Sequence, residues 1–172
     1  TAEDIKGLKI RTLESQLHVD TWKQLGANPT PMSFSQLYTA MEQKVVDGQE
    51  NPVGNVVTNK MNEVQKYLSL TGHVYNASPF LLSKKFWDGL TDDEKAMMKK
   101  AAKEAQEIQR KLNDKEDTES IALLKTKGME INELNPGEKE KILKSLQPVY
   151  DKYSEKLGKD LVNRLLAAAK AK

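Results

Sequence analysis

Residues 8–15 read LKIRTLES. Leu8-Lys9-Ile10-Arg11-Thr12-Leu13 alternates as a short strand does. Thr12-Leu13-Glu14-Ser15 then has the look of a strand-to-helix turn, with Ser15 placed to cap the segment that follows. In that segment Val19, Trp22 and Leu25 stand three apart, on one helical face. Gly26 ends it, in the position glycine prefers after a helix. A strand that runs into a helix, repeated along a chain, is the pattern of a covered, partly parallel α/β sheet.

The rest of the chain repeats the theme. Asn28-Pro29-Thr30-Pro31 is extended, because a proline keeps the residue before it out of the helical region. Ser33 and Gln36 form a capping-box pattern. Behind them Phe34, Tyr38, Met41 and Val45 recur at helical intervals, and Asp47-Gly48 breaks the run. The stretch VVDGQENP at 45–52 is then a polar elbow, with Gly48 free to turn sharply and Pro52 fixing the backbone after Asn51. Tyr67–Leu82 predicts two strands or one long bent one. Thr91–Glu94 is a second capping box, and it opens a long helix whose stripe of Met97, Ala101, Ala105, Ile108 and Leu112 is expected to be core. That stripe weakens over 113–120, where exposure or a kink is expected. Gly128 stops the helix, and Met129-Glu130-Ile131 is a short strand. Glu138–Leu146 is helical. Pro148 starts a last helix, with Tyr150, Tyr153, Leu157, Leu161 and Leu165 on one stripe.

Composition narrows the function. The net charge is only +2, and Lys and Glu alternate instead of segregating. That gives no electrostatic footprint for nucleic acid. No apolar run is long enough for a membrane-spanning helix. The absence of cysteine removes disulfides, thiol catalysis and cysteine metal sites.

The search for chemistry is mostly negative. His18 and His73 lie far apart with no metal-ligand spacing and read as surface or packing residues. Nucleophile-elbow, phosphate-loop and dinucleotide glycine patterns are missing, so the chain is not expected to be an enzyme and needs no cofactor. Asp47 and Glu50 could be an acidic pair or ordinary loop hydrogen-bonding groups. Arg11 reads either as a surface residue or as a ligand contact, since ligands of open α/β sheets sit outside the carboxyl ends of strands. Asn51 reads equally as a helix cap, with Pro52 at the first helical position.

Together LKIRT, LGANPTPMSFSQLYTAMEQKVVDGQENP and EVQKYLSLTGHVYNASPFLLSKKFWDGL resemble the solute-binding proteins of tripartite ATP-independent periplasmic (TRAP) transporters, of the DctP type. The resemblance is to the C-terminal part of such proteins. It implies a periplasmic-binding-protein-like two-lobe α/β fold. Residues 1–76 and 117–172 would build the second lobe, and 77–116 would supply a first-lobe strand and part of the bridging helix. It further implies capture of a small organic anion, such as a sugar acid or a C4-dicarboxylate, for delivery to the transporter's membrane subunits. Arg11 would clamp the carboxylate, Asn51 would hydrogen-bond the ligand and Phe34 would lie against its body. A forked, permanently charged guanidinium suits that clamp, where a lysine would lose orientation.

Glu14 would join the ligand contacts. A carboxylate near an anion repels it unless a ligand hydroxyl intervenes, which favours a hydroxylated sugar acid. The plain alternative is that Glu14 points to solvent. The location implied is periplasmic, or extracellular with a membrane anchor in a one-membrane envelope. The long-helix stripe would then lack part of its packing partner, a surface that favours self-association. A ligand-sensing module for a receptor, or a helical interaction protein, are the alternative functions.

Overall fold

The structure is a computed structural model that describes residues 1–170. The chain divides into two compact units. The first comprises Thr1–Thr71 and the chain from Met129 on, and the second is Gly72–Gly128.

The first unit carries both sheets. Strands β1 (Lys9–Thr12), β2 (Asn28–Pro31) and β3 (Gly48–Gln49) form a parallel sheet in the order β2-β1-β3. The prolines of β2 are tolerated because it is an edge strand, where a missing N–H leaves no ladder bond unmade. Helix α1 (Gln16–Gln24) returns the chain from β1 to β2, and α2 (Phe34–Glu42) returns it from β2 to β3. Parallel neighbours require such crossovers. A second, two-stranded parallel sheet pairs β4 (Tyr67–Leu70) with β5 (Glu130–Glu133), in register Tyr67 to Glu130. Helices α3 (Val53–Thr58), α6 (Glu138–Ser145), α7 (Gln147–Leu157) and α8 (Lys159–Lys170) complete this unit, while α4 (Lys84–Asp88) and α5 (Asp92–Thr126) lie in the second.

Several expectations are corrected. The buried face of α2 is Leu37, Ala40 and Met41, while Phe34 and Val45 of the anticipated stripe are exposed. The helix ends at Glu42, and the turn is made by Lys44 in the left-handed region at φ 57°. Gly48 therefore makes no turn. It is a strand residue whose missing side chain admits Ile10, since a Cβ there would stand 3.3 Å from Ile10 Cδ1.

The expected strands of 67–82 reduce to β4. Gly72 turns left-handed at φ 55°, and residues 71–83 hold no strand. A strand forms only against a partner ladder. The stripe of α5 is not core, for Met97 is 63% exposed and Ile108 60%. At a rise of about 1.5 Å per residue, this 35-residue helix far outruns the short α4 of its own unit. Of the exposure or kink expected over 113–120, exposure is found at 113–119 while the helix runs unbroken, and its Thr91 capping box forms as read. The single last helix becomes two, broken at Gly158, where φ is 97°.

A carboxylate ties α1 to α7. Asp20 accepts from Lys152 Nζ, from Tyr153 Oη at 3.0 Å and from Gln16 Nε2 at 2.8 Å. The hydrogen bond from Lys152, then that from Gln16, holds its carboxyl down to about 2.

Two outcomes follow for stability. Leu37 is fully buried, so Leu37→Ala should lower the unfolding free energy by about 2–5 kcal/mol in urea titration. Asp20 has a folded pKa below its ordinary 3.8. Its contribution is therefore complete above that value and lost as pH falls toward 2. Asp20→Asn should be less stable at neutral pH, and its urea midpoint should fall less steeply than the wild type's across that interval.

Candidate functional site

Arg11 occupies the central strand, opposite Thr30 of β2 and Gln49 of β3. Its side chain is almost wholly buried, at 1% exposure. Burial of a charge is costly unless hydrogen bonds and neighbouring charges compensate it. Here Nε and Nη2 both donate to the Met32 carbonyl oxygen, at 3.1 and 2.8 Å. Met32 lies just past the end of β2, where its N–H still donates to the Thr12 carbonyl at 3.3 Å. The ladder therefore fixes the carbonyl that fixes the arginine. One edge of the guanidinium is held in this way, and the Nη1–Nη2 end is the part of the fork not committed to Met32.

The electrostatics keep Arg11 charged. Burial pulls its pKa below the ordinary value, and the charges of Glu50 and then Glu14 pull it back. Glu14 is exposed just past β1, yet within electrostatic reach of the guanidinium. Glu50 is 10% exposed and stands 3.6 Å from His18 Nδ1, on α1. Phe34, the first residue of α2, is 40% exposed, and its ring centroid lies 5.8 Å from Arg11 Cζ. That distance allows a cation–π contact. Phe34 thus stands off the core face of α2 and within cation–π reach of a buried cation.

Asn51 is half-buried between β3 and α3. It is not the helix cap, for Pro52 holds that position. Its Nδ2 donates to Gln49 Oε1, and its Oδ1 accepts from Asn55 Nδ2 at 3.3 Å. Gln49 Nε2 in turn donates to Gln65 Oε1 at 3.2 Å. Asp47, the other member of the suggested acidic pair, is a loop tie: it accepts from Lys9 N at 2.8 Å, and its own N–H donates to Lys9 O.

The structure thus brings Arg11 and Phe34 into contact and joins Asn51 to the neighbour strand of Arg11 through Gln49. Met32, Gln49 and Gln65 escape sequence reasoning, and so does the pairing of Glu50 with Arg11 and His18 instead of Asp47. Their roles depend on the parallel register and on a main-chain carbonyl, neither of which leaves a residue-type signal. No group of three or more potential metal ligands occurs among the described residues, and no described helix is long and apolar enough to cross a membrane.

Comparison with known proteins gives consistent matches. The profile described as bacterial extracellular solute-binding protein, family 7 (DctP) matches residues 1–156. The chain is 35% identical over 167 residues to the C4-dicarboxylate-binding periplasmic protein DctP of Rhodobacter capsulatus, covering 96% of this chain and 50% of that protein. Among solved structures it is similar to a TRAP periplasmic solute-binding protein from Ochrobactrum anthropi, whose C-terminus is bound in the ligand-binding pocket. That match has 43% identity and a TM-score of 0.89, over 99% of this chain and 53% of the other. It is similar also to the sugar acid binding protein DctPAm from Advenella mimigardefordensis in complex with galactonate, with 40% identity and a TM-score of 0.90. There the coverage is 99% and 55%. The chain therefore spans about half the length of these relatives.

Arg11→Lys separates charge from fork. A lysine keeps the charge but cannot bond Met32 O through two donors in one plane. The variant should lose about 1–3 kcal/mol of unfolding free energy in urea titration. An unchanged value would mean that the Met32 bonds contribute nothing net.

Proposed function

This chain belongs to the bacterial extracellular solute-binding proteins of family 7, and from that premise we propose that it binds a small organic anion, a sugar acid or a C4-dicarboxylate, through Arg11. Members of the family are substrate-binding components of transport, not enzymes. In the proposed function the ligand-bound protein works outside the cytoplasm, in the periplasm or anchored to the membrane of a one-membrane envelope. It hands its ligand to the membrane subunits of a TRAP transporter. Residues 1–76 and 117–172 serve as the second lobe in this reading, and 77–116 as a first-lobe strand with part of the bridging helix.

The observation that carries the reading is the buried, half-held fork of Arg11. The Met32 carbonyl leaves its Nη1–Nη2 end to meet two oxygens of a carboxylate side by side. Each such charge-assisted bond is worth roughly 1.5–3 kcal/mol net. Phe34 offers a flat apolar surface beside that end, and Asn51 offers one N–H and one lone pair. Glu14 and Glu50 repel a bare anion, so a ligand that carries hydroxyls toward those carboxylates is favoured over a plain dicarboxylate. The galactonate bound by the Advenella protein and the C4-dicarboxylate for which the Rhodobacter protein is named support that ligand class.

The test is a thermal-shift panel on the full-length protein with galactonate, hexuronates, aldonates, sialic acid, 2-keto acids and C4-dicarboxylates. A ligand that binds only the native state raises its melting temperature by mass action. One hit should stand out, lose at least about tenfold in affinity in Arg11→Lys and weaken in Asn51→Ser. A hit that survives both substitutions would refute the clamp. A flat panel would refute the ligand class.

A further inference from the structure

We propose that Gln65 is a positioning residue for Asn51, acting through a one-way chain of carboxamide hydrogen bonds that sets which way the Asn51 amide faces the ligand. The proposal rests on the ligand contact assigned to Asn51 above. Asn55, on α3, donates to Asn51, and Asn51 donates to Gln49. Gln49, on β3, donates to Gln65, two residues ahead of β4. All three bonds run in the same sense. Every member is an amide, free in principle to point either way.

The direction is collective. A carboxamide presents oxygen on one side and NH₂ on the other. Reversing a single member would set oxygen against oxygen on one side and NH₂ against NH₂ on the other, so the chain turns as a whole or not at all. Partly satisfied polar networks are costly, and fully satisfied ones are rigid. The direction can therefore be imposed from an end of the chain, and Gln65, which receives the last donor, is the end at which a side chain that only accepts or only donates would impose it.

The consequence falls on Asn51. A carboxamide offers two N–H donors and two acceptor lone pairs. Two of these four are engaged, one by Gln49 and one by Asn55. One donor and one acceptor remain, on defined sides. A hydroxy acid presents an acceptor oxygen and a donor hydroxyl side by side. The orientation of Asn51 then decides whether the two patterns match or clash, and sites built around such a match discriminate strongly against a mismatched ligand.

Two substitutions at Gln65 separate this from simple charge effects. Gln65→Glu keeps an acceptor for Gln49 and preserves the direction. Gln65→Lys supplies only donors and reverses it. Charge alone predicts the opposite order, because a new carboxylate repels an anionic ligand and a new ammonium attracts it.

In the full-length protein, isothermal titration with galactonate should show Gln65→Glu within about threefold of wild type. Gln65→Lys should be weaker by about tenfold or more. Gln65→Lys binding as tightly as wild type, or Gln65→Glu weakening while Gln65→Lys tightens, would overturn the relay. The second arm needs no ligand. The Asn51 side-chain NH₂ signals in a ¹⁵N-resolved NMR spectrum should keep their positions in Gln65→Glu and move in Gln65→Lys. Unmoved signals in Gln65→Lys would overturn the relay even if galactonate proved not to bind. Failure of wild type to bind galactonate, with the NMR pattern as expected, would count against the ligand and not against the relay.

Discussion

The pair of hydrogen bonds from Arg11 to the Met32 carbonyl is the constraint on which the site depends. A guanidinium at 1% exposure needs partners that a surface arginine does not. A neutral carbonyl holds one edge of its plane without neutralising it. A carboxylate in that position would have consumed the charge, and an apolar neighbour would have left the donors orphaned. The carbonyl is available because β2 pairs in parallel with β1 and overruns it by one residue, with Met32 N–H on Thr12 O. Sheet register thus becomes side-chain orientation, and orientation becomes a charge pointed in one direction.

The same register organises the other half of the site. Gln49 lies opposite Arg11 on β3, so the strand that flanks the cation on one side also carries the carboxamide to which Asn51 donates. Asp47 locks the approach to that strand by exchanging two bonds with the main chain of Lys9. Gly48 lets Ile10 close in beneath it. The segment 45–52 is therefore less a turn than a strand start followed by an amide bonded back to that strand.

Much of this was legible in the sequence, and the parts that were not share a cause. The alternation of β1, the proline-marked extension of β2 and the capping box of α5 are local signals, and each appears where read. Arg11, Phe34 and Asn51 stood out through residue type and motif. Predictions that needed a partner's position went astray. The stripe Phe34-Tyr38-Met41-Val45 is apolar at the right intervals, yet the core takes Leu37, Ala40 and Met41. Apolar residues there stand both in the core and at the surface, and periodicity does not distinguish the two. The segment 71–83 has strand-like residues but joins no sheet, and the long-helix stripe has core-like residues that stay exposed. Relays such as Asn55-Asn51-Gln49-Gln65 join residues whose neighbourhood only the fold creates.

The charges around Arg11 bear on the proposed function, in which a bound ligand must also leave. With Glu50 and Glu14 both acting on the guanidinium, the cation is stabilised before any ligand arrives. An incoming carboxylate therefore gains less than it would from a naked buried charge. In the proposed function it would gain geometry instead: a planar fork already oriented by Met32 and a ring already beside it. Affinity that comes from preorganisation, and not from unmatched charge, keeps selectivity for shape while limiting the depth of binding. The proposed function, in which the protein surrenders its ligand, would need that combination, and the two carboxylates acting on the arginine would supply the limit.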